Sequence, residues 1–236
     1  MKRLILTLTG AFALASGAFA APTVITSLPA AIIASGDYIL DPNATAQPVV
    51  YGYPIAIYAG NVNLDLNGAT IDTTYGMVIG TAFGGTSVDH VTVKNGTFNG
   101  VFQGTVTDGS NAHTGVWIAG ASYVSLLNLN FDGNFNGNFD QGSYDSIKNC
   151  NFESPLAIYN ADHGSYENLV VAKQPAVWSN LGNQDQSLFC TGDSNNFKNI
   201  RVLSGNVQLN GNTTYQHFFF QPPSTVNGGM NLQPGH

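Results

Sequence analysis

Short alternating patterns of apolar and polar residues recur along the chain around a series of asparagines. The first regular copy is HVTVKNGTF, in which apolar Val93 lies two residues before Asn95 and apolar Phe98 lies three residues after it. The same arrangement returns at four later centres: Asn128, Asn149, Asn168 and Asn199. Alternation with a period of two is typical of β-strands that bury one face. The pattern therefore predicts similar strands from about residue 88 to residue 203.

The spacing of the asparagine centres predicts how these strands are arranged. The intervals are 33, 21, 19 and 31 residues, which suits the stacked repeats of a solenoid. In such a stack, equivalent asparagines can pass amide hydrogen bonds from one repeat to the next. We expect this ladder on the inner side of the strands, and we expect the aligned Phe98, Phe131 and Phe152 to stack in the core.

The segment before the repeats contains a predicted short helix. Ser27-Leu28-Pro29 is followed by the apolar residues 30–34 and then by Gly36. This is the usual order of a capping residue, a first-turn proline and a terminating glycine. A helix here would cover the backbone edge of the first repeat, which would otherwise favour aggregation.

The N-terminus has the pattern of a secretory signal peptide. Lys2 and Arg3 precede an uncharged apolar stretch at residues 4–15, and Ala18-Phe19-Ala20 follows. This order predicts cleavage before Ala21. The apolar stretch is short for a membrane span. We therefore expect a secreted protein, extracellular or periplasmic, with no integral membrane segment after cleavage.

The repeats resemble the right-handed parallel β-helix superfamily, the pectate-lyase-like fold. The resemblance rests on NVNLDLNGATI, HVTVKNGTF and the later copies, and it covers roughly residues 46–220. It implies an all-β, right-handed parallel β-helix solenoid, preceded here by the short N-terminal capping helix. The expected organisation is a signal peptide at 1–20, an N-terminal cap at 21–45, the β-helix at 46–220 and a C-terminal tail at 221–236.

The superfamily resemblance implies contact with an extracellular polysaccharide. Its members include polysaccharide lyases, glycoside hydrolases, epimerases and adhesins, so the fold alone does not decide between binding and cleavage. A non-catalytic surface or matrix scaffold remains open as the alternative. If the chain is an enzyme, the resemblance implies a polysaccharide lyase or a glycoside hydrolase.

The net charge of the chain argues against nucleic-acid binding. Without Lys2 and Arg3, five basic residues face fourteen acidic ones, a net charge of −9. Such a chain lacks the positively charged surface needed to bind nucleic acid.

The two cysteines are predicted to lie too far apart to form a disulfide. Cys150 and Cys190 fall at different places in repeats two apart, about 9–10 Å along the stack if neighbouring strands lie about 4.8 Å apart. That separation exceeds the reach of a disulfide and predicts two free, buried thiols.

A column of turn residues contains the candidate catalytic groups. The pairs six and five residues before the centres are Asp89-His90, Ser122-Tyr123, Ser143-Tyr144, Asp162-His163 and Asp193-Ser194. One interpretation is structural, because Asp and Ser close turns by bonding nearby backbone groups. The other is catalytic, because Asp162 and Asp193 fall on adjacent repeats, about 5 Å apart. Two carboxylates of a retaining glycosidase are separated by about 5 Å, and His163 would be available for proton transfer.

Two short segments also resemble motifs of polygalacturonase-type hydrolases. Asp162-His163-Gly164 resembles their Gly-His-Gly motif, and Asn199-Ile200-Arg201 resembles their Arg-Ile-Lys motif. The resemblance adds Arg201 to the catalytic candidates, with a structural role beside the core strand as the alternative. The Asn-Thr-Asp and Asp-Asp motifs of those enzymes are absent from the sequence.

The long intervals between centres predict loops at about residues 72–87, 99–115 and 172–187. Insertions in a solenoid tend to emerge on one face, which is often the binding face. His113, Trp117 and Trp178 lie in or beside these loops, where aromatic rings near amides and acids would suit sugar rings. The alternative for each tryptophan is that it packs beneath its own loop.

The segment DGNFNGNFDQGS at residues 132–143 resembles a calcium-binding loop. Asp132, Asn134 and Asn136 match its opening ligand positions, and Asp140 matches the ninth position. Ser143 stands where the usual bidentate glutamate would be. With two carboxylates the predicted calcium site would be weak, and an Asn/Gly turn repeat without an ion is the alternative.

Overall fold

The computed structural model of the chain describes residues 20–46, 52–80, 88–101, 114–133, 135, 137–172, 186–220 and 226–227. These residues form strands and turns, and no helix occurs among them. The strands, numbered along the chain, are β1 (Thr23–Leu28), β2 (Ala30–Ile32), β3 (Gly36–Ala46), β4 (Ile55–Ile57), β5 (Val62–Asp65), β6 (Thr70–Thr73), β7 (Met77–Gly80), β8 (Asp89–Gly100), β9 (Thr114–Ala119), β10 (Ser122–Gly133), β11 (Gly137–Asp140), β12 (Ser146–Lys148), β13 (Asn151–Phe152), β14 (Leu156–Tyr159), β15 (Ser165–Val171), β16 (Gln186–Thr191), β17 (Asn196–Val202), β18 (Asn206–Leu209), β19 (Thr214–Phe220) and β20 (Val226–Asn227). Within the described ranges, no segment is a helix of the length and hydropathy that spanning a membrane requires.

The strands form two long sheets, and the chain alternates between them. Sheet A has 11 strands in the order β1-β3-β5-β8-β10-β12-β15-β17-β19, with β6 paired to β8 and β13 paired to β10 and β15. Sheet B has nine strands in the order β2-β4-β7-β9-β11-β14-β16-β18-β20. Every pairing between these strands is parallel. The all-β prediction is therefore confirmed, with parallel strands stacked in both sheets.

The predicted column of core phenylalanines is confirmed. Strand pairing places Phe131 opposite Phe98 on one side and opposite Phe152 on the other. The three rings are fully buried. Their centroids are 5.4 and 5.2 Å apart, and the ring planes are nearly parallel. The repeat spacing in the sequence therefore predicted both the strand register and the packing of these rings.

The asparagine ladder exists, but its predicted position inside the strands is wrong. From Asn128 onward, each amide Nδ2 donates to the Oδ1 of the preceding asparagine, at 2.8–3.1 Å, along the series Asn95, Asn128, Asn149, Asn168 and Asn199. These residues have φ values of 54–61°. A residue in this left-handed region interrupts the alternation of the strand, so Asn128 lies exposed while the next residue, Leu129, returns to the core.

The predicted N-terminal capping helix is wrong. Its segment, SLPAAIIASG at residues 27–36, forms the end of β1, all of β2 and the start of β3, with a cis peptide bond between Leu28 and Pro29. Ile32 is buried in the core while Ile33 is exposed, which is the alternation of a strand. Pairing of β1 with β3 and of β2 with β4 outweighs the local helical signals, which are weak compared with tertiary contacts.

Both cysteines are free and buried, as predicted. Burial raises the pKa of the Cys150 thiol to about 11 and that of the Cys190 thiol to about 12. Both groups are therefore protonated and unreactive at neutral pH.

Several predictions fall outside the described residues. They are the signal peptide apart from Ala20, the ligand candidates Asn134 and Asn136, and the sugar-binding candidates His113 and Trp178. The tail predicted at 221–236 is described only at β20, which pairs with β18 in sheet B. The division of the chain into a signal peptide, a cap, a β-helix and a tail stays a prediction.

Candidate functional site

The acids predicted as catalytic lie in the turns that lead into sheet A. Oδ1 of Asp162 accepts the backbone N–H of Asp193 at 2.7 Å. Oδ1 of Asp193 in turn accepts the backbone N–H of Asn212 at 3.0 Å. The two residues thus occupy equivalent places in adjacent repeats, as the sequence predicted. Each carboxylate satisfies a backbone donor of the following repeat, an arrangement that favours the structural interpretation of this column.

His163 belongs to a stack of exposed rings at the same corner of the molecule. The corner stack consists of His90, Tyr123, Tyr144 and His163, with neighbouring centroids 4.7–4.9 Å apart and interplanar angles of 10–11°. All four residues have φ values of 54–62°. Inside the stack each ring face is covered by its neighbour, so the stack presents ring edges to solvent. The sequence register predicted the alignment of these residues but not the stacking of their rings.

Arg201 lies apart from these acids along its own strand. It occupies the outer face of sheet A, opposite Val170 of β15 and Phe219 of β19. Asp193 precedes the start of β17, whereas Arg201 is near its end, beyond the left-handed bend at Asn199. The structure therefore does not group the arginine with the candidate acids.

Trp117 lies on the outer face of sheet B. Its chain neighbours Val116 and Ile118 are buried in the core between the sheets, so Trp117 faces the opposite way. Strand pairing aligns it with Phe139, which is followed in the next strands by Ala157 and Phe189. Together with Tyr159, these residues form a second apolar cluster, here called the aromatic row: Trp117, Phe139, Ala157, Tyr159 and Phe189.

The aromatic row contains two largely buried phenylalanine rings and two accessible rings. Phe139 and Phe189 are only 7% and 8% exposed, whereas Trp117 and Tyr159 are half-buried. The Tyr159 ring lies 5.1 Å from that of Phe189 and 6.2 Å from that of Phe139. The indole Nε1 of Trp117 donates to Oε1 of Gln141 at 3.2 Å. Burial raises the pKa of Tyr159, so its hydroxyl stays neutral at physiological pH.

The two carboxylates of the predicted calcium loop have different surroundings. Asp132 is half-buried and accepts the Asn151 amide at 3.2 Å. Its pKa is raised, mainly by burial and then by the charge of Glu153. Asp140 is fully buried. In the part of the chain that the structure describes, no cluster of three or more His, Cys, Asp or Glu side chains is placed to hold a metal ion. Calcium binding stays a prediction without support from this geometry.

Asp140 instead belongs to a buried pair of acids that the sequence reasoning missed. Oδ2 of Asp140 accepts the Tyr166 hydroxyl at 2.8 Å, and its Oδ1 accepts the Gly142 N–H at 3.0 Å. Oδ1 of Asp145 accepts the Val124 N–H at 2.7 Å. The remaining oxygen of Asp145 is buried without a donor among the described residues, and it belongs to a carboxyl group that lies beside that of Asp140.

The surroundings of this pair favour a shared proton. Burial, followed by the charge of Asp140, raises the pKa of Asp145 to about 9. Burial also raises the pKa of Asp140. Two adjacent buried carboxylates cannot both ionise without a large cost, so one proton between them is favoured. Both residues are only 1% exposed, so a polymeric substrate cannot reach the pair. Its protonation instead affects the free energy of unfolding.

Register alignment was the signal that could have revealed the pair. In sheet B, Asp140 stands opposite Ile118 on one side and Ile158 on the other. An acid inside an isoleucine column requires a buried partner. The sequence reasoning aligned the repeats of sheet A only, and it assigned Asp140 to a local calcium motif.

Comparison of the chain with protein-family models, with curated proteins and with solved structures found no significant match. The two long parallel sheets are compatible with a parallel β-helix.

Proposed function

We propose that this protein is a secreted polysaccharide-binding protein that holds its glycan on the aromatic row of sheet B. The observation that carries the proposal is the half-buried Trp117, fixed by Gln141 and aligned with the other rings of the row. A sugar ring has an apolar C–H face and a rim of hydroxyl groups. Aromatic faces beside amide groups match both parts, as in other small-molecule sites that combine apolar walls with a few polar groups.

The same proposal assigns the two sheets to a right-handed parallel β-helix of the pectate-lyase-like kind. Its support is the regular alternation of the chain between two parallel sheets. Connections between parallel strands of one sheet are right-handed in nearly all proteins. Secretion is supported by the N-terminal pattern ending at Ala20. The exported form, whether extracellular or periplasmic, is expected to begin at Ala21, which N-terminal sequencing checks, and an exported chain that retains Met1 would contradict it.

The proposal favours binding without cleavage at the corner. The Asp162 and Asp193 carboxylates both accept backbone N–H groups of the next repeat, as turn-closing residues do. One observation favours the alternative role of a surface or matrix scaffold. The asparagine ladder and the corner stack join successive repeats along much of sheet A, as a rigid spacer would require.

Affinity electrophoresis through gels containing neutral or acidic polysaccharides tests the proposal. At least one polysaccharide is expected to retard the wild-type protein without release of reducing or unsaturated ends. Trp117→Ala should weaken that retention about tenfold, equivalent to about 1.4 kcal/mol of binding free energy, because it removes the accessible indole face.

Tyr123→Ala is the matched control for this experiment. It removes an exposed ring of the corner stack, away from sheet B, and should leave retention unchanged. Wild-type protein that no polysaccharide retards would refute the proposal, as would a Trp117→Ala variant that is retarded as strongly as wild type.

A further inference from the structure

The strand stack has an open backbone edge at each end of the described chain. β1 and β19 are the outermost strands of sheet A, and β2 and β20 are the outermost strands of sheet B. Outermost strands present unpaired N–H and C=O groups, which natural proteins commonly protect with charged side chains. The four terminal strands read TVITSL, AAI, TYQHFFF and VN. None of them contains a lysine, arginine, aspartate or glutamate.

The apolar core is incompletely covered at the C-terminal end of the stack. Phe218 and Phe220 of β19 stand in register with Ile200 and Val202 of β17. Ile200 and Val202 are completely buried, whereas the two phenylalanines are only partly buried. Among the described residues, the last layer of the core therefore has a neighbouring strand of sheet A on one side only.

The N-terminal end of the stack likewise has partly buried and exposed apolar side chains. Ile25 of β1 stands opposite the buried Leu40 of β3, and it is only partly buried. Val24 and Ile33 are 55% and 78% exposed in the first layer, and Phe219 is 61% exposed in the last. Exposed apolar side chains thus occur at both ends of the stack.

The two ends match each other in strand length and direction. β1 has six residues and β19 has seven, while β2 has three and β20 has two. All internal pairs are parallel, and all strands of a sheet run the same way. The last strand of one copy can therefore pair with the first strand of another in a parallel orientation, as in every internal pair. Such a contact continues the existing sheets and covers Phe218 and Phe220 with Ile25.

We propose that copies of this chain associate head to tail, with β19 and β20 of one copy pairing with β1 and β2 of the next. Strand addition at a sheet edge supplies main-chain hydrogen bonds, and the terminal apolar layers supply burial. Because the two surfaces are different and lie at opposite ends, the interface is heterologous. It does not close on itself after two copies, so linear assemblies result.

Light scattering of the chain that begins at Ala21, over a concentration series, tests this inference. The average mass of wild-type protein is expected to rise continuously with concentration, beyond that of a dimer. Val24→Lys blocks the first surface and Phe219→Lys blocks the last, because a lysine on an edge strand opposes strand addition. Each variant alone should stay monomeric. An equimolar mixture should form dimers and stop there, since each variant retains one functional end.

The controls separate assembly from misfolding. Val24 and Phe219 are exposed, so both variants should keep the circular dichroism spectrum and melting temperature of wild type. Tyr123→Lys changes an exposed ring in the middle of the stack and should assemble as wild type does. A wild-type protein that remains monomeric or stops at a dimer would overturn the inference. Concentration-dependent growth of either lysine variant, or a mixture that yields no dimer, would also overturn it.

Discussion

At the scale of single residues, each ladder asparagine has two roles. Its left-handed backbone bends sheet A, and its side chain joins the repeats on either side. Asn149, for example, has a φ of 54°. Its amide donates to Asn128 at 3.1 Å, and its Oδ1 accepts from Asn168 at 2.9 Å. Asparagine suits this position because it tolerates the left-handed region better than most residues.

Substitution of Asn149 separates the two roles. Asn149→Ala loses both side-chain hydrogen bonds, worth about 0.5–1.5 kcal/mol each, and forces a Cβ into the left-handed region at about 1–2 kcal/mol. Asn149→Gly loses the hydrogen bonds but has no Cβ penalty. Chemical denaturation should therefore rank the free energy of unfolding as wild type, then glycine, then alanine. A glycine variant less stable than the alanine variant would contradict this account of the bend.

The buried acid pair predicts how stability depends on pH. Burial and the charge of Asp140 raise the pKa of Asp145 to about 9 in the folded protein, from an ordinary value of 3.8. Between roughly pH 4 and pH 9 the folded protein thus binds a proton that the unfolded chain does not. The free energy of unfolding should then fall as pH rises, by at most about 1.4 kcal/mol per pH unit. The stabilisation is complete below the unfolded pKa and lost towards pH 9.

Asp145→Asn tests this pH dependence. The asparagine keeps an oxygen for the Val124 N–H and offers Asp140 a donor without titrating. Its unfolding free energy should fall less between pH 5 and pH 8 than that of wild type, and it should gain most relative to wild type at pH 8. The control Asp37→Asn removes an exposed acid and should retain the wild-type slope. An Asp145→Asn variant with an unchanged slope would show that the pair does not hold the proton.

At the scale of strands, the aligned aromatic columns test how much the packing between repeats contributes. Phe131 is fully buried and stacked between Phe98 and Phe152. Phe131→Ala should lower the free energy of unfolding by about 3–5 kcal/mol, since it removes a buried ring and leaves a cavity. Tyr144→Ala removes a ring stacked on both sides but exposed, and should cost about 1 kcal/mol or less. Urea denaturation compares them, and equal losses would contradict the assignment of core and surface columns.

The sequence predicted those strand features that repeat, because each copy of the pattern reports the same register. Phe98, Phe131 and Phe152 are an example, since alternation within each strand and spacing between strands agree. The helix at residues 27–36 was wrong because pairing between distant strands decided its conformation. The contact of Asp140 with Tyr166 and Asp145 was missed because it joins β11 of sheet B to β15 of sheet A and to the turn before β12. Local motifs carry no information about such a contact.

At the scale of the whole molecule, two surfaces are candidates for the glycan-binding site: the corner stack and the outer face of sheet B. The corner stack presents ring edges beside carboxylates that are bonded to backbone N–H groups. The outer face of sheet B has two accessible aromatic rings, Trp117 and Tyr159, packed against buried apolar side chains. The Gln141 amide lies beside Trp117 and accepts its indole N–H. Apolar ring surface bordered by polar groups is the usual composition of a ligand site, which favours the outer face of sheet B over the corner stack as the glycan site.

Hydroxyl-radical footprinting with mass spectrometry tests this choice most directly, using the polysaccharide that retards the wild-type protein. Saturating glycan is expected to slow the oxidation of Trp117 and Tyr159, because the glycan would cover both accessible rings of the aromatic row. Tyr123 and Tyr144 of the corner stack should be oxidised at the same rate with and without glycan. Protection of Tyr123 and Tyr144, with unchanged oxidation of Trp117 and Tyr159, would contradict the assignment of the glycan to sheet B.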